Sequence, residues 1–304
     1  MNAQVLFVLL AAASSCDAQG PFGPPQPPPS QGMQTLLAPS DAEANARFGY
    51  DVAVAGSVCI VGAFGSHGGN AGTGAAYIFR KSDKGGGWEQ EYELLPDTLQ
   101  PGDYLGRSVA IAGTTHGDVA VACAPRANAG AGECYLFRKR PSGDWVVEDT
   151  LVSSAPSQAF GTAVAIDDGT VVIGAQDAVY VFAHRSGRGN AGAWPQQAAL
   201  VAPNGQAGFG TSVAVTASSG AETDLLVVGA PGAGVFSYRY YTLRGQMGPT
   251  WNLEGTALVP ATGTPSAGFG SSVALSGSLL AVGAYDEDAD AGAAYMFARG
   301  SRGQ

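Results

Sequence analysis

Phe209-Gly-Thr-Ser-Val-Ala-Val215, continued by Leu226-Val-Val-Gly-Ala-Pro231, is written five times in this chain of 304 residues. The other copies of its first half are FGYDVAV at Phe48, LGRSVAI at Leu105, FGTAVAI at Phe160 and FGSSVAL at Phe269. They start roughly 50 to 60 residues apart, a period that signals a solenoid or propeller. Each copy runs on to a Gly-Ala pair (Gly62-Ala63, Gly174-Ala175, Gly229-Ala230, Gly283-Ala284), with Cys123-Ala124 in the second copy. A short aromatic run follows: Tyr77-Ile-Phe79, Tyr135-Leu-Phe137, Tyr180-Val-Phe182, Phe236-Ser-Tyr238 and Tyr295-Met-Phe297. Four copies add a Trp-to-Leu segment, from Trp88, Trp145, Trp194 and Trp251.

These runs are short, β-branched or aromatic, and bounded by turn residues, so they read as strands. Four antiparallel strands per repeat make a propeller blade. The chain is therefore predicted to be an all-β propeller of five four-stranded blades. Small residues recur in the first strand (Ala53, Ala110, Ala165, Ala214, Ala274), as the crowded innermost strand requires. The fifth copy lacks its outer strand, while Met33-Gln-Thr-Leu-Leu-Ala38 precedes the first and resembles Gly255-Thr-Ala-Leu-Val259. This reading has the N-terminal strand complete the last blade and close the ring, leaving no bare sheet edge.

With these motifs the chain resembles the FG-GAP repeat family, the propellers of integrin α subunits and many secreted proteins, over about residues 33 to 299. Propellers of that family usually have seven blades, against five copies here. The resemblance implies a non-catalytic adhesion or interaction module. It also directs attention to the family's calcium loops, D-x-D-x-D-G-x-x-D between strands one and two. Those loops here lack the alternating carboxylates that would surround a hard cation. Asp167-Asp168-Gly169 reads as a hairpin turn.

Residues 1–18 read as a secretory signal, with the apolar core Val5–Ala13 too short to span a bilayer. Residues 19–32 are a proline-rich linker, and the propeller occupies 33–304. A net charge of −10 argues against nucleic acid and anionic membranes. No second apolar stretch suggests a membrane span, and the chain is read as a monomer. Cys123 and Cys134 flank one hairpin loop, where antiparallel neighbours meet disulfide geometry; that bridge suits an oxidising compartment. Cys59 reads as a buried free thiol.

One acidic loop remains as a candidate Ca²⁺ site, Asp286, Asp288 and Asp290, in competition with ordinary turn chemistry, because Asp288 aligns with Asn70 and Asn128. No other cofactor is expected. The three histidines lie apart without a nucleophile motif, so no enzyme is expected. Tyr238-Arg-Tyr-Tyr241 reads as an exposed aromatic-basic contact. Antiparallel order gathers the four-to-one and two-to-three loops on one face. That face holds 41–47, 66–73, 97–103, 126–131 and 286–290. Loops on a rigid scaffold carry function, and the resemblance to integrin α propellers implies that ligands bind there. The candidate ligand-binding residues are His67, Asn70, Asp103, Arg126, Asn128 and Asp286. Two partners stay open: an extracellular protein, and a glycan bound in lectin fashion.

Overall fold

In the inner blades both faces of the sheet are buried, which is why their strands read as continuous apolar runs instead of alternating ones. In β6 (Gly117–Ala124), Ala120, Ala122 and Ala124 face one neighbouring blade while Val119, Val121 and Cys123 face the other. The computed structural model describes residues 35–67, 72–82, 87–114, 117–155, 157–184, 192–217, 224–242, 249–260 and 268–299. The leader and linker assigned to residues 1–32 lie outside them. Contacts divide the chain into Met1–Leu36 and the propeller unit Leu37–Gln304.

Blade one is β1 (Val52–Ala55), β2 (Val58–Ala63), β3 (Ala75–Lys81) and β4 (Trp88–Leu94). Blade two is β5 (Ser108–Thr114), β6, β7 (Glu133–Lys139) and β8 (Trp145–Leu151). Blade three is β9 (Ala163–Asp167), β10 (Thr170–Ala175), β11 (Ala178–Ala183) and β12 (Gln196–Val201). Blade four is β13 (Ser212–Thr216), β14 (Leu225–Ala230), β15 (Gly234–Tyr241) and β16 (Thr250–Leu253). Blade five is β17 (Phe269–Ser276), β18 (Leu279–Ala284) and β19 (Ala293–Ala298). Every pairing is antiparallel between sequence neighbours, and the result is the expected five-bladed propeller.

The repeat motif explains how blades lock together. Leu105, Phe160, Phe209 and Phe269 are buried and Phe48 of the first copy is half-buried, and Phe160, Phe209 and Phe269 meet the aromatic pair of their own third strand at 5.3 to 6.3 Å. Gly174 and Gly229, at the ends of second strands, sit against the next blade's lead-in turn. A Cβ on either would lie 2.1 and 2.0 Å from the carbonyl oxygens of Gly210 and Gly270. The motif serine joins the same contact: Ser108 and Ser212 donate to the carbonyls of Gly161 and Gly270, each at 2.8 Å. Blade one carries Asp51 instead, whose carboxylate accepts from Val109 N–H of blade two at 2.7 Å. Separate apolar clusters fill each of the four junctions between successive blades.

The expected closing strand is not found among the described residues. Residues 35–39 form no strand, residues 33 and 34 lie outside the described set, and blade five has three strands. The segment is held at blade one instead. Leu37 packs against the cluster of Tyr77 and Phe79, Ser40 N–H donates to Gln90 Oε1, and Asp41 accepts from Tyr77 Oη. Innermost strands pack successively, β1 on β5, β5 on β9, β9 on β13 and β13 on β17, and β17 makes no comparable packing on β1. Leu279 and Met296 on blade five are consequently 47% and 61% exposed.

Cys123 and Cys134, opposite one another on β6 and β7, form the expected disulfide, with Cα atoms 4.0 Å apart. Cys59 is free, but half-buried rather than buried. Tyr238-Arg-Tyr-Tyr241 also departs from expectation. It lies in β15, where Tyr238 and Arg239 are buried, Arg239 pairs with Glu254, and Tyr240 stacks on Trp251. Consecutive residues of a strand point to opposite faces, and here both faces are covered at Tyr238 and Arg239, while Tyr240 and Tyr241 are half-buried. Asp168 and Gly169 both have positive φ (31° and 83°), as a tight hairpin turn needs.

Candidate functional site

In every copy the residue immediately before the motif Phe or Leu is left-handed. Its φ is 56° at Arg47, 64° at Tyr104, 54° at Ala159, 78° at Gly208 and 65° at Gly268. Blades four and five use glycine there, the residue that adopts this conformation without a Cβ penalty. Blades one and two place an arginine and a tyrosine in it, at a conformational cost of about 1–2 kcal/mol each. Such strain concentrates at functional sites, and here the two residues belong to one cluster.

That cluster lies where the lead-in turns of blades one and two adjoin. Tyr50 and Phe64 meet edge to face with centroids 4.6 Å apart, and Phe64 continues to Tyr104 at 5.3 Å. The Arg107 guanidinium lies 4.3 Å over Tyr50 and 5.9 Å from Phe64. Arg47 lies 5.4 Å over Phe64, and Arg126 lies 4.6 Å over Tyr104. The rings and Arg107 are half-buried, while Arg47 and Arg126 are exposed. Backbone bonds hold the frame: Tyr50 N–H to Arg47 O, Arg107 N–H to Tyr104 O, and Arg126 N–H to Asp103 O, at 3.1 to 3.3 Å. Beneath it, burial pushes the Asp51 carboxyl above its ordinary value, opposed by the N–H groups of Val109 and Val52 and by the Arg107 charge.

A second group adjoins the same blade. His67 Nε2 is 2.7 Å from Glu93 Oε1, and His67 Nδ1 is 3.9 Å from Glu43. Asp41, His67 and Glu93 offer one donor atom each, all within 4.8 Å of one another. One imidazole nitrogen and two carboxylates suit a borderline divalent cation better than calcium. Tyr77 Oη orients Asp41 from a buried position, and burial raises the Tyr77 phenol above its usual range.

Of the residues singled out from sequence, Asp103 and Arg126 come together in the arginine–aromatic cluster. Asp103 Oδ2 accepts from Gln100 N–H at 2.6 Å and its carbonyl holds Arg126. Asn128 lies in the same loop, in α1 (Ala127–Gly130), where its Nδ2 donates to Glu133 at 2.7 Å. His67 belongs to the carboxylate group on blade one, and Asn70 lies outside the described residues. Asp286 precedes α2 (Glu287–Asp290) on blade five, away from both groups. Among the described residues, Asp286, Asp288 and Asp290 do not form a set of donors close enough to share an ion. Asp288 and Asp290 have positive φ (52° and 69°), and Asn128 has 53°, so the two loops share a turn. The carboxylate turned inward there is Glu287, which accepts from Tyr295 Oη.

Sequence reasoning missed Arg47, Tyr50, Phe64, Tyr104 and Arg107. A usable signal was present. Aligning the residue before each motif Phe or Leu shows glycine in two copies, and bulky residues only in the first two.

The FG-GAP repeat family model matches residues 32–79 and 252–297, covering the first three strands of blade one nearly to the end of β3 and nearly all of blade five. No curated protein matches the chain by sequence. Among solved structures, a mutant of Aleuria aurantia lectin AAL in complex with Fucalpha1-6GlcNAc is similar at a TM-score of 0.50 and 12% identity. The match covers 80% of this chain and 72% of that one, a likeness of fold. Among the described residues no helix is long and apolar enough to cross a membrane. With the motif lining the blade junctions and the FG-GAP repeat model matching near both ends of the blade series, the chain is a five-bladed β-propeller that carries FG-GAP repeats.

Proposed function

We propose that this propeller is a secreted, monomeric, non-catalytic interaction module that binds an extracellular protein through the loop face where blades one and two meet. The observation that carries this reading is the placement of Arg47 and Tyr104 in left-handed backbone where blade three has the small Ala159 and blades four and five use glycine. A chain that accepts strain to present arginines on aromatic rings is supporting a surface, and arginine and tyrosine are the side chains enriched at protein contacts. The disulfide and the leader-like residues 1–18 agree with an oxidising, extracellular setting.

The competing reading is a lectin, encouraged by the likeness to a sugar-complexed propeller. It calls for the same polar-aromatic pocket in successive blades, whereas the arginine–aromatic cluster occurs at one junction. The test is parallel screening of the secreted chain and its Arg107→Ala variant against extracellular protein domains and a glycan array. Protein binding that the variant loses supports the proposal. Binding of free sugars at several equivalent sites, unchanged in the variant, would overturn it.

A further inference from the structure

We infer that the arginine–aromatic cluster is the receptor for an acidic peptide segment, whose carboxylates pair with Arg107 and Arg126 and, at the rim, Arg47. This rests on the interaction-module reading above and specifies its ligand. The first observation is a contrast in pairing. Four of the five basic side chains within the strands are neutralised, Arg80 by Glu91 and Asp118, Arg138 by Glu148, Lys139 by Glu91, and Arg239 by Glu254, with Lys81 at the end of β3 the exception. Arg47, Arg107 and Arg126 take part in no ion pair among the described residues, although the chain has 25 acidic and 15 basic residues. The acids nearby are engaged elsewhere. Asp51 accepts from two backbone N–H groups, and Asp103 accepts from Gln100 N–H.

The second observation is how the guanidinium groups are held. All the cation–π contacts among the described residues belong to these three arginines. Lys81 and Arg140, which also lack an ion pair there, make no ring contact. Stacking fixes the guanidinium plane while leaving its N–H fork free to grip a carboxylate with two bonds. The same stacking decides against a sugar, because the faces a pyranose would cover already carry guanidinium groups. An acidic peptide is favoured over a nucleic acid because three stacked guanidinium groups at one turn offer separate carboxylate forks and no extended basic stripe that would track a phosphate backbone. Three like charges gathered on one strained turn system repel each other when empty, and a peptide carboxylate relieves that repulsion.

Fluorescence anisotropy with labelled hexaglutamate tests this on the secreted full chain, with hexaserine, hexalysine and heparin as comparisons. Hexaglutamate is expected to bind alone among the peptides, more tightly at low salt. Arg126→Gln and Arg107→Gln should each weaken it about tenfold, and Arg107→Lys should weaken it too, since a lysine keeps the charge but not the fork. Arg140→Gln should leave it unchanged. Arg126 is exposed, so its variant tests the site even if Arg107→Gln disturbs folding. Equal binding by the variants, or binding of heparin without hexaglutamate, would overturn the inference. If a protein partner from the screen binds and hexaglutamate does not compete with it, the acidic-peptide inference fails while the interaction module stands.

Discussion

Replacing Gly174 by alanine should open the junction between blades three and four. The added Cβ would sit 2.1 Å from the Gly210 carbonyl oxygen, 3.1 Å from its carbon and 3.3 Å from Ala163 Cβ. A carbon–oxygen contact relaxes at roughly 3.2 Å, so the two blades must part by about 1 Å at that point. The obstacle is backbone, with no flexible side chain to swing aside. Overpacking of this kind costs about 1–3 kcal/mol. A gap near 1 Å also forfeits up to about half the dispersion energy of the atoms facing it. Those atoms belong to Val172, Val179, Phe209 and Val213, buried in the same junction. Together these terms place the destabilisation at about 3–4 kcal/mol, read as a lower urea midpoint with unchanged slope. Gly102→Ala is the control, since Gly102 has a φ of 94° with nothing within 4 Å of its added Cβ. It should cost only the left-handed penalty, about 1–2 kcal/mol. Equal midpoints for Gly174→Ala and the parent protein would refute the argument that strand-two glycines exist to admit the next blade.

Removing the Cys123–Cys134 bridge, which links residues 11 apart, should cost about 3 kcal/mol by loop-closure entropy, measured by urea unfolding of the double alanine variant. Ala159→Gly should stabilise by about 1 kcal/mol, because glycine removes the Cβ penalty at a φ of 54°; a lower urea midpoint would contradict it. Phe209→Ala, emptying a fully buried ring site against Phe236 and Tyr238, should cost about 3–5 kcal/mol in the same assay. Asp51 predicts a pH effect. Its folded pKa is raised above the ordinary 3.8, so the folded state holds a proton that the unfolded state has lost within that window. Stability of the parent relative to Asp51→Asn should therefore fall as pH rises from 3.8 to the raised value and stay level above it. A relative stability that climbs with pH there would show that the N–H bonds outweigh burial.

Much of this protein is legible without coordinates, because the repeat carries the blade's physical requirements five times over. A packed Phe or Leu, a glycine at the next blade's carbonyl, a small first-strand residue and an aromatic third strand are local demands, and the copies show them in the same order, with Cys123 in the glycine's place in the second. The Cys123–Cys134 bridge follows from the same logic, since β6 and β7 are sequence neighbours whose register the hairpin sets. The tertiary structure alone decided three matters. Leu37, Ser40 and Asp41 bind to blade one instead of extending blade five, a choice among distant partners that a strand-like stretch of six residues does not encode. Tyr238 and Arg239 are buried, and Tyr240 and Tyr241 half-buried, because β15 runs between β14 and β16. Arg47, Tyr50, Phe64, Tyr104, Arg107 and Arg126 form one surface although Arg47 and Arg126 are far apart in sequence. Periodicity reports which face of a strand is buried, whereas loop side chains converge according to how neighbouring blades are rotated and pressed together, and that is settled only when the blades pack.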